Sequence, residues 1–92
     1  MRLIGFVTDH WEASGGMHDA LEEDGNIMLF NSEAECVEYV RTTPIFCSSS
    51  ISNPDNLEIW DMDTLRVVGK YEADREYEKG VMTTLKYRKV EP

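Results

Sequence analysis

The clearest two-residue alternation lies near the end of the chain. Val81, Thr83, Leu85 and Tyr87 alternate there with Met82, Thr84, Lys86 and Arg88, the period of a half-buried strand with its basic residues on the open face. The clearest helical period lies nearer the middle, in "SEAECVEYVRTT". Cys36, Val37 and Val40 share one face, with Ala34 and Tyr39 beside them. Ser32 is a natural N-cap, and Glu35 three residues later completes a capping box. Arg41 in the last turn suits the helix dipole, and Pro44 ends the element. The opposite face carries Glu33, Glu35 and Glu38, none with a Lys or Arg four residues on, so intrahelical pairs are not expected to neutralise it.

The remaining elements follow from composition and turn chemistry. "RLIGFVTD" (2–9) is a strand of β-forming residues that ends at the polar Asp9-His10. From 10 to 26 two readings compete. Met17, Ala20 and Leu21 have the i, i+3, i+4 spacing of a short helix, whereas Asp24-Gly25 is a strong hairpin dipeptide. The hairpin is preferred, because isolated helices this short are marginal. "IFCSSSIS" (45–52) reads as a strand fraying into a polar loop, and "SNPDN" (52–56) as a connector. "LEIWDMDTLRVVGKYEA" (57–73) reads as a hairpin hinged near Asp63-Thr64, with a loop longer than two residues because no glycine supplies a primed turn. "DREYEK" (74–79) reads as a charged connector to the last strand. The expected architecture is a single α+β domain over 1–92, an antiparallel sheet of five to six strands with one helix, about 32–42, packed on it.

Charge changes this picture most. Eighteen acids against nine bases give a net charge of −9. Between Leu3 and Val40 there are nine Asp or Glu and no Lys or Arg, so this half carries the whole net charge. Such an excess disfavours phosphate backbones, which are bound through Lys and Arg displacing counterions, and it favours a protein partner with a basic surface. The longest apolar runs, such as "IMLF" (27–30), fall far short of the ~20 residues that span a bilayer. The opening "MRLIGFVTDHWE" lacks a secretory apolar region, and a cytoplasmic location without membrane contact is expected. Cys36 and Cys47 spell neither a zinc knuckle nor a redox motif and read as free thiols, with no activating group near Cys36.

Candidate chemistry is sparse. Both histidines lie in "DHWEASGGMHD" (9–19), where His10, Glu12, His18 and Asp19 are the ligand types of a metal-dependent hydrolytic site. Their spacing matches no rigid ligand scaffold, and Gly15-Gly16 loosens the geometry between them. "DMDTLRVVGKYE" (61–72) begins like a calcium loop but has Arg66 where the sharp turn needs glycine, so a hairpin is expected instead. Gly69-Lys70 lacks a glycine-rich phosphate loop, and no serine sits in a nucleophile elbow. The expectation is therefore no catalytic residue, no metal and no cofactor.

The stretches "EEDGNIMLFNSEAECVEYVR" (22–41) and "EIWDMDTLRVVGKY" (58–71) together resemble the small acidic accessory proteins of tailed bacteriophages. The resemblance is one of architecture and implies a compact protein that binds, and often inhibits, a host factor, as anti-CRISPR proteins and polymerase inhibitors do. Residues and resemblance converge on a non-enzymatic interaction protein, an inhibitor or modulator with Trp11, Glu12, Glu22, Glu23, Asp24, Glu33, Glu35 and Glu38 as contact residues. Two alternatives stand beside it. One is the small metal-dependent enzyme using His10, Glu12, His18 and Asp19; the other is a structural or virion component whose basic strand mates with the acidic half of a second copy.

Overall fold

The computed structural model describes residues 2–8, 19–47 and 50–91. They form a mixed α+β structure, mostly sheet. The main sheet has five antiparallel strands in the order β2-β1-β7-β8-β9: Asp19–Ala20, Leu3–Thr8, Asn56–Asp61, Arg66–Glu78 and Val81–Glu91. Two short pairs accompany it, β3 (Glu22–Glu23) with β4 (Asn26–Ile27), and β5 (Ile45–Cys47) with β6 (Ser50–Ser52).

One helix, α1 (Glu33–Thr42), packs on the sheet. Ser32 sits in extended backbone as its N-cap and accepts from the Glu35 N–H at 3.1 Å, which satisfies one of the donors a helix start leaves unpaired. Thr43 closes the other end by donating its N–H to the Tyr39 carbonyl. Beneath the helix, Leu3 and Val7 of β1 and Leu57 and Ile59 of β7 are fully buried with Cys36 and Val40, and Leu21 and Phe30 complete this core. Gly5 lies between Leu3 and Val7. A Cβ there would stand 2.7 Å from Leu21 Cδ1 and 3.0 Å from Cys36 Sγ, so the missing side chain is what lets these two groups approach the sheet.

From Asp19 on, where the stretch is described, the hairpin reading is the correct one. Asp24 and Gly25 both have positive φ, 54° and 82°, the conformation a two-residue primed turn requires. The loop between β7 and β8 is also as expected, four residues (62–65) long, so Asp61 to Glu72 is a hairpin and not a cation loop.

Two sequence expectations are corrected. "DREYEK" is not a connector: residues 74–78 continue β8, and the chain turns at Lys79-Gly80, again with both φ values positive, 53° and 82°. The pairing explains why so polar a segment is extended. Its acids at 72, 74, 76 and 78 recur every second residue, and Arg88 and Lys86 stand opposite Glu72 and Asp74. Nor does "IFCSSSIS" simply fray into a loop, since Ser50–Ser52 returns as β6 against β5.

β8 extends well beyond its pairing with β7, so the β8–β9 ribbon continues past the other strands of the sheet. Residues 53–55 brace its root. Arg75 is paired with Asp55 and donates to the Asn53 carbonyl at 2.6 Å, while Tyr87 donates its hydroxyl to the Pro54 carbonyl at 2.6 Å. Asn53 in turn donates to the Val40 carbonyl at the helix end, tying helix, connector and ribbon together. Among the described residues no helix is long and apolar enough to cross a membrane.

Candidate functional site

The acidic residues singled out by the charge pattern fall into three situations. Glu22, Glu23 and Asp24 form the β3–β4 hairpin, and all three are exposed. None of their carboxylates is engaged by another side chain among the described residues. Beside them the chain alternates: Met28 and Phe30 turn into the core, while Ile27 and Leu29 face outward and remain 52% and 56% exposed. Ile27 is the direct cross-strand partner of Glu22. The hairpin thus presents two aliphatic side chains beside three carboxylates.

Two of the helix acids, Glu33 and Glu38, differ from this and from each other. Glu33 is half-buried over the sheet, where its Oε1 accepts from the Tyr71 hydroxyl at 2.7 Å and from Lys89 Nζ at 3.1 Å. The Lys89 ammonium also lies 6.0 Å from the centre of the Tyr71 ring. Burial and the bond to Glu33 push the Tyr71 hydroxyl up to about 12, so it is held as a neutral donor. Glu38 is gripped by Arg41, whose Nε donates to Oε2 at 3.0 Å, and this lowers its carboxyl below the usual range. The expectation that the helix acids lack an intrahelical counter-charge therefore fails: the pair forms at i, i+3, where helical neighbours also meet. Glu35 is exposed, and its side chain has no partner among the described residues.

Cys36 is a free thiol with no exposed surface. Burial first, and then Glu35 and Glu33, push it up to about 12, which leaves it without nucleophilic character at neutral pH. Trp11, Glu12, His10 and His18 lie outside the described residues. Asp19 opens β2 opposite Val7 of β1. Among the described residues no group of three or more His, Cys, Asp or Glu is gathered as a metal would require.

A second surface was not singled out by charge or motif. On the sheet face turned away from α1, Ile4 pairs across strands with Trp60, and Phe6 with Glu58. The Phe6 and Trp60 rings meet edge to face with centroids 6.2 Å apart. Trp60 donates its indole N–H to Glu58 Oε1 at 2.7 Å. These side chains, with Asp61, Met62 and Leu65, line a recess of about 310 Å³. Leu65 at its rim is 69% exposed and holds a φ of 57°, a left-handed conformation that a leucine rarely adopts. The sequence signal was present in the strand itself: "LIGFVT" is apolar at successive positions, whereas a strand with one solvated face should alternate.

Fold and surfaces together define a small α+β protein with an acidic, partly apolar hairpin on one edge of its sheet and an aromatic recess on the face opposite the helix. In comparisons with known proteins, no family model and no curated protein matches the chain, and no solved structure matches its fold.

Proposed function

We propose that this is a non-enzymatic interaction protein, an inhibitor or modulator that docks on a basic surface of a partner protein through its acidic N-terminal half. The observation that carries the reading is the β3–β4 hairpin: Glu22, Glu23 and Asp24 stand exposed, with no side-chain partner among the described residues, beside the outward-facing Ile27 and Leu29. Three carboxylates steer a basic partner, and the aliphatic pair supplies apolar area that a purely solvated turn has no need to expose. Glu35 offers a further exposed carboxylate on α1. Glu33 and Glu38 contribute charge but are already held within the fold.

A partner bearing a basic patch, such as a protein that itself binds nucleic acid, is complementary to this arrangement. The phage-accessory resemblance points the same way. The direct test is capture from a host lysate at low and high salt by the native protein and by the triple variant Glu22→Lys, Glu23→Lys and Asp24→Lys, with the retained proteins identified by mass spectrometry. One basic protein held in stoichiometric amount, weakened by salt and lost from the variant, is the expected result. Retention of the same protein by both forms at both salt concentrations overturns the assignment.

A further inference from the structure

We propose that the recess on the face of the sheet turned away from α1 is an arginine slot, which receives the guanidinium-tipped side chain of a basic partner protein between aromatic walls and the Glu58 carboxylate. The inference shares with the proposed function only the premise of a basic partner. It uses a different face of the molecule, so the two fail separately.

The lining selects the ligand by elimination. At about 310 Å³ the space is at the small end of ligand pockets, enough for one long side chain and too little for a helix or a nucleotide. Its walls are almost wholly apolar, Ile4, Phe6, Trp60, Met62 and Leu65, with the Glu58 side chain beside the Trp60 indole and no Lys or Arg in the lining. An anionic ligand would meet like charge. A purely apolar one would leave the Glu58 carboxylate without a hydrogen bond in return.

Glu58 has one oxygen committed within the fold: its Oε1 accepts from the Trp60 indole at 2.7 Å, which fixes the ring against the acid. The nearest internal cation is Lys70, whose Nζ stands 4.0 Å from Glu58 Oε2, too far for a normal hydrogen bond. The second oxygen of Glu58 is thus open to an incoming donor. The ligand that uses an apolar channel, an indole face and a carboxylate at once has an aliphatic stem and a flat, permanently charged tip. Arginine has both. A lysine ammonium is a compact, strongly hydrated charge without a stacking face.

The test uses the Trp11→Phe protein, in which Trp60 is the sole tryptophan. Its indole N–H resonance is followed by ¹H–¹⁵N NMR during titration with a blocked Gly-Arg-Gly peptide, and with the same peptide carrying citrulline, the neutral isostere. The arginine peptide is expected to shift the resonance saturably with a Kd on the order of millimolar, as befits a single side chain. Citrulline should bind about tenfold more weakly, and Glu58→Gln, which keeps the acceptor for the indole, should weaken arginine by a similar factor. The triple hairpin variant should bind the peptide as the native surface does. No saturable shift, equal response to citrulline, or an unchanged Kd in Glu58→Gln each overturns the slot.

Discussion

The two faces of the central sheet are built from alternating residues of the same strands and differ in what covers them. On one side Leu3 and Val7 of β1 and Leu57 and Ile59 of β7 are sealed under α1. On the other, the buried Ile4 and the half-buried Phe6 and Trp60 are almost equally apolar, yet they line a recess. A sheet face left to solvent is normally polar. The β8–β9 end of the same open face obeys that rule, with Glu72, Arg88, Asp74 and Lys86 facing one another across strands. Apolar side chains are thus concentrated where β1 and β7 pair, and this locality separates a site from an incidental scatter of exposed residues.

The largest expected effect tests the two faces with neighbouring residues of one strand. Ile59→Ala empties a sealed position and should cost about 2–5 kcal/mol in denaturant unfolding. Trp60→Ala removes a much larger side chain but widens a recess already open, so it should cost less than half as much. Equal losses would mean that the open face is packed as tightly as the covered one, and the contrast would collapse.

Alkaline unfolding sharpens the same contrast, because the groups it exposes belong to the helix side. Cys36 and Tyr71 are both pushed up to about 12, and Tyr87 is raised further, in each case mainly by burial. The folded chain keeps these protons while the unfolded chain releases them from the ordinary thiol and phenol values near 9 and 10. Stability is therefore fully present below about pH 9 and lost as pH rises toward 12. Unfolding free energies measured across that window should fall steadily. Cys36→Ala and Tyr71→Phe, compared with the native chain at each pH, should each flatten the decline.

How much of this was legible in the sequence depends on the range of the interaction involved. The helix could be placed because its signals are local: Ser32, Glu35 and Pro44 act within a few residues of the ends they define. Asp24-Gly25 could be placed for the same reason. The extension of β8 was equally local, written in acids at every second position from 72 to 78, but composition outweighed period and the stretch passed for a connector. The fate of the helix acids was not legible. Glu33 is held by Tyr71 and Lys89, 38 and 56 residues further along the chain, and only the completed fold brings them together. The recess is intermediate. Its residues lie on β1, on β7 and in the loop after it, and recognising it requires knowing that these strands pair and which face the helix takes.

The smallest expected effect is the most discriminating, because it should move stability and binding in opposite directions. Leu65 holds positive φ at the rim of the recess, with most of its side chain in solvent. A left-handed backbone costs a branched residue roughly 1–2 kcal/mol, and asparagine tolerates it better through local hydrogen bonding. Little burial is lost on replacement, so Leu65→Asn should stabilise the protein slightly, by about 0.5 kcal/mol in denaturant unfolding. The same change removes an apolar wall of the recess and should weaken the arginine peptide in the NMR titration. If the leucine were merely a tolerated turn residue, relieving its strain would leave peptide binding untouched. Gain in one measurement with loss in the other would show that the strained position is retained for the surface it builds.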